Sequence, residues 1–288
     1  MSARQMAGPV ALFVQGGQST SVIMKERIPF LNRGPVVSVI RLSGTIGAGS
    51  RAQLSDEALA PSIEKAFRRG KPKAVALLIN SPGGSPVQSS LIASRIRRLA
   101  EEKDIPVHAF VEDVAASGGY WLATAADDIW VDPASIVGSI GVISAGFGAP
   151  VLLARQGVER RVHTSGKSKS FLDPFLPQKD EDVSRLKDIL EQMHKVFEAQ
   201  VTSRRGDKLA QNDDLFTGEF WLGQRAVELG LVDGIGHVAP KMKELYGDKV
   251  RFAQYGRKRG LFQRFGMSLA QDGIAAIEER ASYARFGL

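Results

Sequence analysis

Between Val36 and Glu112 the chain alternates between two kinds of apolar pattern. The runs VVSVIRL (36–42), KAVALLI (73–79) and PVHAFVE (106–112) have the length and branched composition of buried strands. Each leads into a stretch of helical character: 54–69, 85–102, and a segment opening at Ser117. Such alternation predicts an α/β fold with parallel strands joined by helical crossovers. Further on, residues 180–205 space Val183, Leu186, Leu190, Met193, Phe197 and Val201 by three and four, which predicts a long amphipathic helix with His194 at the edge of its apolar face. WLGQRAVELGLVDGIG (221–236) predicts another helix, stopped at Gly230. Residues 1–33 lack periodicity and read as an arm. Residues 34–247 form the main domain, and 248–288 a basic, partly helical tail.

Two strand–helix units resemble each other. ALLINSPGGSPVQSSLIASRI and HAFVEDVAASGGYWLATAA both run strand, small-residue turn, Gly-Gly, helix, with Gly83 and Gly118 separated by 118 − 83 = 35 residues. Both turns therefore fall at the carboxyl ends of parallel strands, the edge where such sheets hold ligands. If the two strands are neighbours, the turns meet.

Composition narrows the chemistry. At 288 residues and 43% hydrophobic, the chain can bury a core in one large domain or two smaller ones. It has no cysteine, which excludes disulfides, a thiolate nucleophile and cysteine-ligated metals. The net charge of +7 lies mostly in clusters: Arg68, Arg69, Lys71 and Lys73; Arg95, Arg97 and Arg98; Arg257, Lys258 and Arg259. The first two fall toward predicted helix ends, where cations oppose the helix dipole, so nucleic acid is not an expected partner. The early apolar run PVALFV is shorter than the roughly 7–15 residues of a signal peptide's apolar region. The uncharged stretch 133–154 has the length of a membrane span, but Gly138, Gly141, Gly146, Gly148 and Pro150 interrupt it. It reads as buried sheet and loop. With no signal peptide or transmembrane anchor, the expected location is cytoplasmic, or peripheral at a membrane surface.

Ser117 admits two readings. Serine is a preferred helix N-cap, and taken alone the residue is that. As a nucleophile it has support from its neighbours: Gly118 and Gly119 leave space above the hydroxyl and expose N–H groups where the helix dipole favours an anion. The SPGG turn brings Gly83 and Gly84 toward the same edge. Two amides converging from separate segments suit the oxyanion of a tetrahedral intermediate, hence acyl transfer. A base is then needed. Among the four histidines, His108 sits in a strand, His194 in the long helix and His237 after the VDGIG turn. His163 remains a candidate for a Ser-His-Asp triad, without a local pattern behind it. RRVHTSGKSKSFLDPF (160–175) offers Lys167 and Lys169, on one face if the segment is extended. Burial in an apolar site disfavours a lysine's charge, and the preceding uncharged stretch is the expected source of that environment. The competing reading of GKSK is a solvated loop.

Four motifs in order, INSPGG, AASGGYWLATAADDIWVDPASIVGSIGV, SGKSKSFLDPF and GQRAVELGLVDGIG, resemble the signal peptide peptidase A family of serine proteases, from about Val36 to Gly236. The resemblance implies a Clp/crotonase-like spiral of strand-strand-helix units with a mostly parallel sheet, and a Ser-Lys dyad that uses no cofactor and no metal. By it Ser117 is the nucleophile, and Lys169, in better register than Lys167, is the base. Ser139 orients the lysine, and amides of Gly118 and of the turn at Gly83 and Gly84 form the oxyanion hole. It further implies peptide substrates with small or medium apolar residues at the cleaved position, such as signal-peptide remnants or membrane-protein fragments. Activity should rise toward alkaline pH, and homo-oligomeric rings or domes are expected, giving the arm something to bind. Many members carry an N-terminal membrane anchor, and none is evident here. The stretch GRKRGLFQRFGM (256–267), with Phe262 and Phe265, reads as packing on a neighbouring subunit or as peripheral membrane contact. Two other functions fit the turns. One is a crotonase-type acyl-CoA enzyme using Glu112 and Asp113; the other is an inactive assembly subunit, whose mark would be a missing Ser or Lys.

Overall fold

The structure, a computed structural model, describes residues 34–48, 54–166, 168–256 and 280–288. The arm at 1–33, Lys167 and the tail stretch 257–279, with Phe262 and Phe265, lie outside the described residues.

The three apolar runs become neighbouring parallel strands β1 (Val36–Ser43), β2 (Ala74–Ser81) and β3 (Val107–Ala116), with Val37 opposite Ala74 and Val75 opposite Val107. Crossover helices α1 (Asp56–Arg68) and α2 (Pro86–Lys103) start at Ser55 and Ser85, whose hydroxyls accept from the Ala58 and Gln88 amides. Each such cap satisfies one of the four N–H groups that a helix start leaves open. Then follow α3 (Gly118–Ala123), β4 (Asp128–Val131), β5 (Ile136–Gly138), α4 (Pro150–Arg155) and α5 (Asp180–Arg205). Last come β6 (Phe220–Leu222), α6 (Gly223–Glu228), β7 (Gly234–Ile235), α7 (Val238–Tyr246) and β8 (Arg251–Tyr255). The sheet order is β6-β5-β3-β2-β1-β8, parallel throughout except at β5–β6. Pairing of β8 with β1 draws the first residues of the basic tail into the sheet.

Both faces of the central strands are covered, which is why they read as unbroken apolar runs. Val75, Leu77, Ile79, Val107 and Ala109 pack with Ile63, Phe67, Ile92 and Ile96 of the crossover helices. Ala74, Ala76 and Phe110 face the other way, onto Met242 of α7. The strand β3 is shared: its first half pairs with β4 and its last residues, Val114 to Ala116, pair with β5. Between them the register to β2 shifts, from Ile79 opposite Val111 to Ser81 opposite Ala115. A bulge of this kind bends a strand and re-aims its end, here toward Ser117.

Two expectations need correction. The uncharged stretch is buried only as far as Ile140; beyond it Ile143 and Phe147 are 68% and 98% exposed, and α4 buries none of its residues. The chain leaves the sheet at Gly138 and Ser139, both at positive φ, a conformation that cannot continue a strand. Arg95, Arg97 and Arg98 sit inside α2 rather than at its end and pair with Asp56, Asp127 and Glu102. Among the described residues, no helix is long and apolar enough to cross a membrane.

The carboxyl end of α5 is fixed by an ion cluster around the buried Arg205. Arg205, 4% exposed, donates to Gly230 O at 2.9 Å and to Asp233 at 2.7 Å, while Lys208 reaches Asp233 at 2.6 Å and the Ile129 amide donates to it at 2.8 Å. Burial alone would raise the Asp233 carboxyl; hydrogen bonds from Arg205 and Lys208 outweigh it and hold the group below its ordinary value. A carboxyl lowered by folding stabilises the fold above its unfolded pKa, and that contribution fades as pH falls through the folded value. Asp233→Asn is therefore expected to cost about 3 kcal/mol at neutral pH, because Arg205 loses its counter-charge in the interior. Urea unfolding at neutral and acid pH checks this, with the gap between variant and wild type closing on acidification.

Candidate active site

The parallel pairing of β2 with β3 brings the two Gly-Gly turns together. A methyl group built on Gly83 would stand 2.8 Å from Ser117 Cβ and 2.9 Å from the Gly118 nitrogen. One on Gly118 would run into Ser89 Oγ and lie 3.3 Å from the Gly84 nitrogen. One on Gly119 would collide with Ser81 O. Gly83 and Gly119 are thus held to glycine by neighbouring backbone, and Gly118 by the Ser89 side chain.

Ser117 adopts φ 50°, ψ −122°, between strand and helix, and its hydroxyl makes no capping bond. That removes the cap reading. A non-glycine residue at positive φ costs free energy and persists only where its surroundings fix it. Here the Ser117 amide donates to Gly138 O at 2.8 Å, and Trp121 N–H donates to Ser117 O at 3.0 Å. Ser117 is half-buried.

The amides around it divide clearly. Gly83 N–H is turned toward Ser81 Oγ at 3.3 Å, while its carbonyl accepts from Ile46 N–H at 2.9 Å. Ile46 O in turn accepts from Ser85 N–H at 2.9 Å, so the segment from Gly44 to Gly47 straps the SPGG turn in place. The Gly84 and Gly118 N–H groups have no partner among the described residues. These two amides come from separate segments, the turn after β2 and the start of α3.

Ser139 is buried at φ 51°, adjacent to the Gly138 carbonyl that holds Ser117, and its own amide donates to Glu219 O at 2.6 Å. Lys169 makes no hydrogen bond to Ser117 or Ser139 among the described residues. It is exposed on a turn in which its amide donates to Gly166 O at 3.2 Å. Residues 168–172 are turns rather than extended strand, and Lys167 lies outside the described residues, so the expected one-face placement of the two lysines falls outside them too. Among the described residues the preceding uncharged stretch does not supply the expected apolar shelter, since Ile143, Phe147, Val151 and Leu152 are exposed.

No histidine hydrogen-bonds Ser117. His108 is at the far end of β3, roughly 30 Å away at the usual strand rise, held between Asp128 and the Tyr246 hydroxyl. His194 donates to Ile140 O at 3.2 Å, His237 pairs with Asp132, and His163 is exposed. The two carboxylates that a crotonase reading needs are also engaged: Glu112 takes both ends of Arg41 at 2.6 and 2.8 Å, and Asp113 accepts from Asn80 Nδ2 at 2.5 Å. Among the described residues, no group of three or more His, Asp and Glu has the spacing to hold a metal ion. Neither the strap at Ile46 nor the approach of Ser89 Oγ to Gly118 has a local signal in the sequence. The only advance sign of the strap is the glycine-rich SGTIGAG, which has no chemistry of its own.

A mostly parallel sheet with a serine elbow at its carboxyl edge defines a Clp/crotonase-like α/β protein. Residues 100–249 match the sequence profile of peptidase family S49. A probable protease SohB of Haemophilus influenzae is 32% identical over 246 residues, covering 84% of this chain and 67% of that protein. The chain belongs to peptidase family S49. A chloroplastic serine protease SPPA of Arabidopsis thaliana is 30% identical over 213 residues, 74% of this chain and 31% of its own. At 48% identity over 271 residues, 88% of this chain also matches a protein of Brucella melitensis named as the Na(+)/H(+) antiporter NhaA, of which it spans 37%.

Proposed function

We propose that this chain is a serine endopeptidase with Ser117 as nucleophile and Lys169 as base. The observation that carries the reading is Ser117 itself: a strained, uncapped serine flanked by two unpartnered amides, Gly84 and Gly118. As Ser117 Oγ bonds to the peptide carbonyl carbon, its proton passes to the uncharged lysine amine and the carbonyl electron pair moves onto oxygen. The Gly84 and Gly118 amides hold that oxyanion. Collapse expels the amine product, which takes the proton from the lysine, and water then releases the acyl group by the same route. Ser139, beside the Gly138 carbonyl, orients the lysine.

Lys169 must lose contact with water to act, and in the single chain it is exposed. Association of copies through the outward Ile143, Phe147, Val151 and Leu152 would dry the segment that carries it, which ties activity to a homo-oligomer. Substrates are peptides with small or medium apolar residues at the cleaved bond, with signal-peptide remnants and membrane-protein fragments as the class to try first. The acyl-CoA alternative loses ground because Glu112 and Asp113 are already paired.

Labelling with a fluorophosphonate, mapped by mass spectrometry, tests the assignment. Ser117 should be the labelled residue, and labelling should rise from neutral to alkaline pH because only an uncharged amine accepts the proton. Lys169→Ala should slow it by about 10³-fold, within the span of general-base contributions, and Lys167→Ala should leave it close to wild type. Label on another serine, or none at any pH, refutes the reading. The opposite outcome for the two lysines moves the base to Lys167.

A further inference from the structure

The sheet face that carries Ala74, Ala76 and Phe110 is covered by α7 over only part of its length. Its remainder lies toward the carboxyl ends of the strands, where Val114, Ala116 and Ile136 point away from the main core. Residues 280–288, the end of the chain, cover that remainder. Phe286 is 9% exposed on Val114, Ala116 and Ile136, with Tyr283 packed beside it. Its ring meets Phe220 of β6 edge-on, 5.3 Å between centroids. The Tyr283 hydroxyl donates to Asn80 O at 2.7 Å, a carbonyl that also accepts from Gly44 N–H at 3.0 Å.

Each of these contacts falls on an element that frames Ser117. Ala116 is the residue before it. Ile136 is two residues before Gly138, whose carbonyl holds the Ser117 amide. Phe220 is paired with Gly138 across β5–β6. Asn80 leads into the turn that carries the free Gly84 amide. A residue at positive φ keeps that conformation only when its surroundings over-determine it, and this segment grips both flanks of the Ser117 backbone bond. We infer that the last nine residues are a positioning clasp for the catalytic edge, with Phe286 and Tyr283 as its positioning residues. The inference rests on Ser117 being the nucleophile.

The test compares Phe286→Ala, Phe286→Leu and Tyr283→Phe in the full chain, by fluorophosphonate labelling of Ser117 and by peptide hydrolysis. Small displacements of a reacting group cost large factors in rate, so Phe286→Ala should lower kcat and the labelling rate about tenfold. KM should stay near its wild-type value, since the clasp lies behind the strands. Phe286→Leu, which refills the site, should recover to within about twofold of wild type, and Tyr283→Phe should show a smaller loss than Phe286→Ala. Assays run well below each variant's unfolding temperature separate positioning from loss of fold. A wild-type rate in Phe286→Ala overturns the inference, and so does a faster one, which would make the segment a plug. If the wild type itself is not labelled at Ser117, the nucleophile assignment has failed and the clasp falls with it. If the wild type is labelled and Phe286→Ala matches it, only the clasp fails.

Discussion

Alanine at position 117 is expected to cut peptide hydrolysis by about 10⁴-fold or more while leaving the unfolding temperature where it was. The two halves of that expectation come from the same geometry. The Ser117 hydroxyl makes no capping bond, so its loss leaves no helix amide newly unsatisfied. Alanine bears the same cost as serine at φ 50°, since both have a Cβ. Stability should therefore move by less than about 0.5 kcal/mol. Had the residue been a cap, its removal would cost about 1 kcal/mol. The free Gly84 and Gly118 amides persist in the variant, so a residual rate above the uncatalysed reaction should remain. Hydrolysis rates and calorimetry on one pair of proteins measure both quantities. Activity near wild type in Ser117→Ala sinks the nucleophile assignment, whereas a drop in unfolding temperature with activity retained restores the cap.

Much of this site can be read from sequence because it is made of backbone. Strand period, Gly-Gly turns and a 35-residue repeat place Gly83, Gly84, Ser117 and Gly118 on one sheet edge, and β2 pairs with β3 accordingly. Long regular elements report themselves too: the spacing over 180–205 matches the bounds of α5, although only its second half, at Phe197 and Val201, is deeply buried. What stays hidden depends on contacts between distant segments. Nothing local in RASYARFGL says that Phe286 packs beneath Ala116, because an isolated aromatic in a basic tail carries no partner's address. The outward turn of Ile143 and Phe147 is hidden for a related reason. An uncharged run predicts burial, and whether that burial is within one chain or between copies is not encoded in the run. The same holds for Lys169, whose shelter was expected from residues that face away.

The largest loss of stability and activity together is expected at Gly84. Its φ of 144° is open to glycine alone among ordinary residues, and a Cβ there would fall on the Ile46 carbonyl. That carbonyl cannot simply retreat, because it accepts from Ser85 N–H, and Ile46 N–H is bonded to Gly83 O. Relief requires the strap to detach, which exposes Ile46 (4% exposed in the core) and frees the turn that presents the Gly84 amide. Gly84→Ala should thus cost about 3 kcal/mol and at least about 10²-fold in activity. Gly70→Ala supplies the comparison. Gly70 also has positive φ, 79°, but a methyl group there meets nothing within 4 Å, so only backbone strain of about 1 kcal/mol applies and activity should be kept. Urea midpoints and labelling rates for the two variants separate collision from strain. Equal losses at both positions would show that the Ile46 strap yields freely, and the Gly84 amide would then lose its claim to be held in place for an oxyanion.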